Sequence, residues 1–569
     1  MTDSAVPLPK TSSGWPERCH FWFRFALCMA SGLMLGFSFP PSSLGILACF
    51  GLVPLLIVLA EIERTRTALF FSYIAFLVFH VLTLNWTGGY EHGKDVYMMI
   101  AGGFTMIIHP LFYFLPISLF LFVRNTFGEK TALVGFPLFW VAYEYSHSLS
   151  EWSFPWLTIG NSHSYDLARM QFISFTGVYG LSLLVVVINI LSYVLYSHLA
   201  QKRWSSFSYS AIGVALLIVV VYLLPKLYGE RVLATAPSHE TGGVEEGAPT
   251  VTVGIVQPNI DPWVKWKGNA GDLFDIYLSM TESLIVTEAK KPDLVLWPET
   301  AIPFRLLSKG FEHHLGLLKS RVDMWGTALL TGFTHTVVYD DSSAAPPSAK
   351  RTPSTGERYD YFNAAVFLQP DVGENAWYGK MKMVPLAERI PYADVFFLLD
   401  FLRWGVGIGG WQIGHDSTIF AERKTGGRFS AMICYESTYP AFVAAFVKKG
   451  AEFITIITID SWWGRMSGAF QHQQFALFRA VENRRWIARC AVGGISCYID
   501  PYGRIYEKTE LFTRASMART IGRFSDLTFY TRHGDWLPVI CLFLGGLLFA
   551  AAAGKRFKNN QRRLLWDNG

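Results

Sequence analysis

The sequence has few charged residues for its length. Only 16% of its 569 residues are charged and 51% are hydrophobic, whereas roughly 25% charged residues is usual in soluble domains. The shortage is uneven, because charge is sparse before residue 230 and again at about 537–553. This distribution excludes a chain made of soluble domains alone and favours a membrane part that carries one soluble domain. The small net charge of +5 says little about partners, and we expect no nucleic-acid partner.

Cysteine is also scarce, with seven residues in the whole chain. Their positions show neither the spacing of a metal site nor a dense disulfide framework. Cys490 and Cys497 flank a predicted turn, so they either form a disulfide or remain two separate core thiols. We therefore expect no metal and no cofactor.

The sequence lacks internal repeats and an evident cleavable signal peptide. The apolar run that begins at Phe21 is not followed by a small-residue cleavage site, so we interpret it as a retained membrane span. Most of the apolar segments approach the ~20 residues needed to cross a bilayer. They predict eight spans, at 21–40, 45–61, 68–87, 97–123, 131–148, 175–199, 209–226 and 536–553. Because 131–148 contains Glu144, that carboxylate has to face protein, water or an interface.

Basic residues predict the orientation of these spans. The loops on the side of the N-terminus contain most of the lysines and arginines, and the opposite short loops contain only Lys94 and Arg169. The basic residues on the first side are Lys10, Arg18, Arg64, Arg66, Arg124, Lys130, Lys202, Arg203, Lys555, Arg556, Lys558, Arg562 and Arg563. The positive-inside rule then puts both termini in the cytoplasm. We predict a multi-pass protein of the bacterial inner membrane whose large soluble domain lies in the periplasm.

The same features divide the chain into parts. Strand and helix signals alternate in the soluble domain, which predicts a layered α/β fold. The predicted parts are a cytoplasmic tail at 1–20, seven transmembrane helices at 21–230, a linker at 231–250, a catalytic domain at 251–525, the eighth transmembrane helix at 536–553 and a basic cytoplasmic tail at 554–569. The catalytic domain is thus predicted to be inserted between spans seven and eight.

Three strand ends in the soluble domain carry residues that fit one reaction. Cys434 follows the apolar segment Phe429–Ile433, Glu299 follows another buried strand, and Lys380 begins a short basic segment. Alone, Cys434 fits a buried core thiol as well as a nucleophile. A resting thiol is a poor nucleophile that needs a base or a cation beside it. Glu299 could take its proton, while Lys380 and the backbone N–H of Tyr435 could stabilise an oxyanion.

The order of these motifs resembles the nitrilase (carbon–nitrogen hydrolase) superfamily. The matching stretches are Trp297-Pro298-Glu299, Lys380 with Pro385 and Glu388, and Cys434-Tyr435-Glu436, with further matches at 460–464, 471–473, 479–482 and 499–504. The resemblance implies an αββα sandwich. With membrane spans on both sides, the chain is similar to the apolipoprotein N-acyltransferase family. Two more stretches support that similarity, at 257–266 with Trp266 and at 154–156 with Trp156.

This resemblance implies a ping-pong acyl transfer. Cys434 would attack an ester of a phospholipid, and the α-amine of a diacylglyceryl apolipoprotein would then attack the thioester. In this scheme Glu299 is the base, Lys380 stabilises the oxyanion and Glu388 supports the cluster. The resemblance further implies that Trp266, Tyr435, Glu436 and Trp156 bind substrate. We expect a monomer, because nothing in the reaction requires a second copy.

Several alternatives remain open from the sequence. A membrane-tethered amidase that hydrolyses a small amide would use the same three residues. The chain could also be a non-catalytic membrane scaffold that kept the fold, but the presence of Glu299, Lys380 and Cys434 together argues against this. An apolar route to Cys434 through residues 152–156 and the apolar segment 395–404 would favour acyl chains, whereas a sealed polar pocket would favour an amide. Segment 395–404 itself is either a core helix or an arm that dips into the membrane. His472 is interpreted as a structural residue because Glu299 already supplies the base. Three positions depart from the family pattern, at Ile459, Val492 and Gly493.

Overall fold

The computed structural model describes residues 17–567 except for 92, 94, 202–208, 239–241, 245, 266–269, 341–343 and 393–409. The part before residue 236 is helical. Its helices are α1 (Glu17–Phe37), α2 (Ala48–Gly51), α3 (Val53–Glu61), α4 (Thr65–Leu84), α5 (Val96–Ile108), α6 (Phe114–Phe127), α7 (Glu129–Ser148), α8 (Leu167–Met170), α9 (Ile173–Thr176), α10 (Val178–Gln201) and α11 (Tyr209–Thr235). Apolar side chains of α1, α4, α6, α7 and α10 pack into a continuous core.

Within the described residues, six helical segments are long and apolar enough to cross a membrane. They are Cys19–Phe37, Thr65–Leu84, Val96–Phe127, Val178–Ala200, Tyr209–Thr235 and Trp536–Arg562. The predicted segment 45–61 forms a shorter apolar helix, Gly45–Glu61, and 131–148 lies in α7, which is outside these six. The chain therefore has the helices of a membrane protein, and the count of eight spans stays a prediction.

Two helices are longer than the sequence predicted. Helix α11 contains Pro225 and still continues to Thr235, five residues into the predicted linker 231–250. The last helix, α18 (Trp536–Asp567), likewise extends into the predicted basic tail 554–569, as far as Asp567. These segments continue as helix beyond their apolar residues, so hydropathy predicted where these helices lie but not where they end.

The segment between α11 and α18 contains two β-sheets. The first has the strand order β13–β1–β2–β3–β5–β4 with β6 paired to β5, and the second has the order β12–β11–β10–β9–β8–β7. The strands are β1 (Thr250–Gln257), β2 (Leu294–Ile302), β3 (Ala328–Tyr339), β4 (Lys350–Arg351), β5 (Arg358–Leu368), β6 (Ala376–Gly379), β7 (Phe420–Ala421), β8 (Arg428–Ile433), β9 (Phe453–Thr458), β10 (Ile487–Ala491), β11 (Cys497–Ile499), β12 (Ile505–Tyr506) and β13 (Ala515–Gly522). The central pairs β1–β2, β2–β3, β8–β9 and β9–β10 are parallel.

Helices cover the outer faces of both sheets, which gives the predicted αββα order. The inner faces of the sheets meet, with β1 and β2 against β9 and β10. The helices of this part are α12 (Pro262–Lys265), α13 (Ala270–Thr287), α14 (Glu312–Trp325), α15 (Pro440–Lys448), α16 (Ser467–Asn483) and α17 (Phe529–His533). Helices α13 and α14 pack on the first sheet, and α15 and α16 on the second. Cys490 and Cys497 are both buried and free.

Hydrogen bonds from α16 join the α/β domain to the membrane helices. The side chain of Gln471 accepts from the indole N–H groups of Trp86 at 3.0 Å and Trp156 at 2.7 Å. The same amide donates to the backbone carbonyls of Pro40 and Thr83. One buried side chain thus contacts three separate segments of the helical part, and it fixes the face of the α/β domain that contains Cys434.

Candidate active site

Cys434 lies at the point where a parallel strand turns into a short helix. It directly follows β8 and begins a 3₁₀ helix that ends at Thr438. Its φ of 53° is uncommon for a residue with a side chain and marks a tightly constrained backbone. The thiol belongs to the lining of a cavity although the residue is only 7% exposed. A rigid strand therefore presents this sulfur to a confined space.

Glu299 lies in an irregular part of β2, which runs to Ile302 and is longer than the predicted Leu294–Trp297. Its Oε1 accepts from Asn363 Nδ2 at 2.7 Å and lies 3.4 Å from Lys380 Nζ. Its Oε2 accepts from the backbone N–H of Ile459 at 3.1 Å. The isoleucine that departs from the family pattern thus still supplies a main-chain donor to the base.

Lys380 is fully buried between two carboxylates. It follows β6, and its Nζ donates to Glu388 Oε1 at 2.7 Å in addition to its contact with Glu299. Burial opposes the charge of Lys380, but the two carboxylates outweigh it and raise the pKa of Lys380. The lysine is therefore an ammonium that can stabilise negative charge at the thiol.

Glu436 ties the cysteine turn to the lysine segment. Its Oε1 accepts from Tyr378 Oη at 2.6 Å and from the backbone N–H groups of Met381 and Lys382. Its Oε2 accepts from Ile433 N at 2.7 Å. Glu436 is completely buried and does not line the cavity. Its hydrogen bonds instead connect the segment that contains Lys380 to the strand that ends before Cys434.

His472 supports the backbone of the cysteine from the opposite side. Its Nε2 lies 3.1 Å from the carbonyl oxygen of Cys434, and its Nδ1 lies 2.9 Å from Asp460 Oδ1. Arg489 binds the other oxygen of Asp460 at 2.8 Å. Burial acts against the ionised form of Asp460, but Arg489 and His472 hold its pKa at about 2. The contacts of His472 therefore agree with the structural role that the sequence indicated.

The resting sulfur is a neutral thiol. Burial, and secondarily the charge of Glu299, raises the pKa of Cys434 well above its usual value, while Lys380 and a hydrogen bond with Thr458 lower it by less. A thiolate therefore forms only if a neighbouring base accepts the proton. Glu299 is placed for that role, and the ammonium of Lys380 compensates the charge on sulfur.

The cavity above Cys434 has a volume of about 510 Å³ and a mostly apolar lining. One wall is formed by α5 and the turn that follows it, and another by loop 152–156. The lining residues are Trp86, Thr87, Asp95, Met98, Ala101, Gly102, Phe104, Thr105, Ile108, His109, Phe112, Trp152, Phe154, Trp156, Trp263, Glu299, Val384, Pro385, Leu386, Ala387, Glu388, Cys434, Tyr435, Ile459, Trp462 and Trp463. Glu299, Glu388 and Cys434 thus face a space that α5 and loop 152–156 of the helical part help to enclose.

The predicted site residues lie in three positions relative to this cavity. Glu299, Glu388, Cys434, Tyr435 and Trp156 line it, and the ring centroids of Tyr435 and Trp156 are 6.3 Å apart. Lys380 and Glu436 lie behind its surface. Trp266 and the apolar segment 395–404 lie outside the described residues.

Sequence reasoning missed several residues of the site. Asn363, on β5, donates to Glu299 and also approaches Glu388 at 3.4 Å. The α5 residues that wall the cavity were assigned only to a membrane span. A single asparagine in a strand gives no local signal, and an apolar helix does not indicate which of its faces meets the α/β domain.

Comparison with known proteins assigns the chain to a family. Residues 31–191 match the apolipoprotein N-acyltransferase N-terminal domain, and residues 252–521 match the carbon-nitrogen hydrolase family. The chain is 33% identical to the apolipoprotein N-acyltransferase of Chlorobaculum tepidum over 543 residues, which cover 94% of this chain and 97% of that protein. The chain belongs to the apolipoprotein N-acyltransferase family. The family's α/β domain, here 252–521, is the one that contains Glu299, Lys380 and Cys434.

A second curated relative agrees with this assignment. The apolipoprotein N-acyltransferase of Geobacter metallireducens is 28% identical over 536 residues, which cover 94% of this chain and 95% of that protein. Among solved structures, Saccharomyces cerevisiae Nit3, a member of branch 10 of the nitrilase superfamily, aligns with 51% of this chain and 95% of its own, at 14% identity and a TM-score of 0.36.

Proposed function

We propose that the chain moves a fatty acyl group from a phospholipid to the N-terminal amine of an apolipoprotein through a thioester on Cys434. As a member of its family, it is an acyltransferase of lipoprotein maturation. The observation that carries the proposal is the apolar cavity in which Cys434 and Glu299 meet side chains of membrane helix α5. Such a cavity suits an acyl chain, because it takes apolar surface out of water next to the reacting sulfur.

In the first half-reaction Glu299 takes the thiol proton of Cys434. The sulfur attacks the carbonyl carbon of the phospholipid ester, and the ammonium of Lys380 with the backbone N–H of Tyr435 stabilises the oxyanion. The ester C–O bond then breaks. The leaving alkoxide takes the proton from Glu299, and a lysophospholipid departs from the thioester.

In the second half-reaction the neutral α-amine of the diacylglyceryl-cysteine attacks the thioester carbon. Glu299 accepts a proton from the attacking nitrogen, the C–S bond breaks and the sulfur of Cys434 recovers that proton. An amide forms and the enzyme returns to its starting state. The apolar walls keep water away from the thioester between the two steps.

We assign the remaining site residues by their contacts. Glu388 holds Lys380 at 2.7 Å, Glu436 orients the segments that contain Lys380 and Cys434, and Tyr435 and Trp156 form aromatic walls for the substrate. Trp266 keeps the substrate-side role that its sequence motif implies. Phosphatidylethanolamine is the expected donor.

We also propose eight spans, with both termini in the cytoplasm and the α/β domain in the periplasm. The asymmetric distribution of lysine and arginine supports this arrangement. The six long apolar helices agree with it, and the shorter helix Gly45–Glu61 and α7 would supply the other two spans. One copy contains every residue that the reaction uses, which supports a monomer.

The alternative function is hydrolysis of a small amide by the same three residues. Loop 152–156 was one of two segments expected to open onto Cys434 if acyl chains bind, and Trp152, Phe154 and Trp156 do line the cavity. A small polar amide would leave most of these apolar side chains without contacts. The cavity therefore favours acyl transfer.

The deciding experiment uses the purified full chain in detergent with a phospholipid labelled in its sn-1 acyl chain and a diacylated lipopeptide. We expect intact-mass spectrometry to detect one acyl adduct on the wild type, and the lipopeptide to discharge it as an N-acylated product. Cys434→Ser should form neither, whereas the matched Cys490→Ser, at a buried thiol on β10, should form both. Acylation of the peptide by Cys434→Ser at the wild-type rate would disprove the mechanism.

A further inference from the structure

Lys265 is a buried lysine that the proposed reaction does not use. It is only 2% exposed and ends the short helix α12. Its Nζ donates to the backbone carbonyl of Glu299 at 3.1 Å and to Thr300 Oγ1 at 2.7 Å. Lysine is almost never fully buried without polar partners. Here the two partners belong to the base and to the residue that follows it.

The backbone of the base needs such support because its conformation is unusual. Thr300 has a φ of 45°, which is a strained conformation for a β-branched residue. Gly332 on β3 packs against this turn so closely that a Cβ there would lie 2.4 Å from Thr300 N and 2.6 Å from Pro298 O. Contacts from outside the turn therefore hold it, and Lys265 supplies two of them.

Helix α12 is itself firmly attached to the α/β domain. Asn259, just before it, donates from its backbone to Val492 O and from its side chain to Phe512 O, both at 2.7 Å. The backbone N–H of Lys265 donates to Asp261 O at 3.0 Å. The backbone of Lys265 is therefore held in place by contacts that do not involve Glu299, so its side chain can restrain the backbone of Glu299.

The same helix also contacts the cavity. Trp263 lines it and packs edge-on against Trp462, with ring centroids 4.9 Å apart. Lys265 is absent from the lining. Helix α12 therefore contacts the cavity through Trp263 and the backbone of Glu299 through Lys265.

The hydrogen bonds of Lys265 do not depend on its charge. Burial lowers the pKa of Lys265 to about 7, and the charge of Glu299 counteracts this shift. The ammonium has three N–H donors and the neutral amine has two, which suffice for the carbonyl of Glu299 and the hydroxyl of Thr300. The contact therefore persists in both states.

We infer that Lys265 is a positioning residue for the base, holding residues 298–300 so that the carboxylate of Glu299 stays within reach of the Cys434 thiol. This inference rests on the proposed function. Because Lys265 acts through Glu299 and does not line the cavity, it affects the rate of thiol acylation and leaves binding of the donor unchanged. Misplacing a reacting group by about 1 Å costs on the order of 10²-fold in rate.

The test measures acyl-adduct formation on the full-length protein over a range of phospholipid concentrations. Lys265→Met keeps the approximate length of the side chain but removes the hydrogen bonds to Glu299 and Thr300. We expect its maximal rate to fall about 10²-fold, while the half-saturating phospholipid concentration stays within about twofold of wild type. Lys265→Arg restores donors and should recover most of the rate. A purely structural role would lower the melting temperature without this division between rate and half-saturation.

Each outcome has a distinct meaning. If the wild type forms no adduct, the proposed function fails and the inference fails with it. If the wild type forms the adduct and Lys265→Met forms it equally fast, only the proposed role of Lys265 is wrong. That role is also wrong if the half-saturating phospholipid concentration of Lys265→Met rises in proportion to its loss of rate. Should Lys265→Met aggregate, Thr300→Val decides: it removes one acceptor but keeps the side-chain shape, and a rate equal to wild type contradicts the inference.

Discussion

At the scale of single residues, the proposed base Glu299 accepts hydrogen bonds from donors around its carboxylate, and Asn363 makes the shortest of these contacts. Its Nδ2 lies 2.7 Å from Glu299 Oε1 and 3.4 Å from Glu388 Oε1. Both carboxylates also bind Lys380. The neutral amide therefore adds a donor where two negative charges share one ammonium, and it reduces their mutual repulsion.

We predict that Asn363→Asp slows thioester formation by at least about 10²-fold, as for the loss of one donor in an active site. The substitution keeps the shape of the side chain but replaces the donor with a third carboxylate next to Lys380. The measurement is the rate of acyl-adduct formation by intact mass. Asn559→Asp makes the same chemical change on the exposed part of α18 and should act like wild type. Equal rates for the two variants would show that Asn363 is dispensable.

The residues of the site differ in how far the sequence predicts them. Glu299, Lys380 and Cys434 were found because each lies near a strand end inside a recognisable motif, and the structure brings them together. Asn363 was missed because its function depends on the pairing of β5 with β3 and β6, which is a long-range property. Glu436 was found by its motif, but its four buried contacts became apparent only in the structure.

At the scale of elements, α5 is both an apolar membrane helix and a wall of the active-site cavity. Ala101 and Thr105 face the cavity, whereas Ile100 is 62% exposed on another face.

We predict that Ala101→Phe narrows the space for an acyl chain and raises the half-saturating concentration of long-chain phospholipids about tenfold, since overpacking costs about 1–3 kcal/mol. Donors with short chains should be affected less.

The matched control for this prediction is Ile100→Phe, which adds an aromatic ring to the same helix outside the cavity. Kinetics with dioctanoyl and dipalmitoyl phospholipids separate the two variants. If Ala101→Phe impairs both donors equally, α5 does not contact the acyl chain.

Helix α16 couples the two parts of the molecule through Gln471. We predict that Gln471→Leu lowers the stability of the folded protein by about 2–3 kcal/mol, because buried indole and carbonyl groups lose their partner. The melting temperature, followed by tryptophan fluorescence, should fall accordingly. Gln474→Leu on the same helix removes only a bond to neighbouring Gln473 and should change it less. A larger effect at Gln474 would contradict the role of Gln471.

The elements were predicted more accurately in their order than in their ends. All eight apolar segments are largely helical, and the two strands predicted next to Glu299 and Cys434 correspond to β2 and β8. Their ends differ because they depend on neighbours: β2 continues past Pro298 since β3 pairs again with Ile302. Helix α11 continues past its apolar residues since Gly229 packs directly on the backbone of Ala168.

At the scale of the whole molecule, the cavity belongs to both parts of the chain. Trp86 and Trp156 come from the helical part and Trp463 from the α/β domain, and their rings pack on one another beside Cys434. The sequence predicted both parts but not their contact surface, because packing between distant segments leaves no periodic pattern. This joint construction gives a physical reason for the chain to be anchored where the lipid substrates that we propose for it would be.

The orientation of the molecule in the membrane can be tested with introduced cysteines. Ala344 lies on the exposed surface of the α/β domain and Lys558 on the exposed part of α18. The variants are made in a Cys19→Ser background, because Cys19 is the one native cysteine that is not buried. We expect a membrane-impermeant maleimide to label Ala344→Cys in intact spheroplasts, and to label Lys558→Cys only after lysis. The reason is that moving the basic cluster at 555–563 across the bilayer is strongly unfavourable. Labelling of Lys558→Cys in intact spheroplasts, or protection of Ala344→Cys, would exclude a periplasmic active site and the proposed meeting of acyl donor and lipoprotein there.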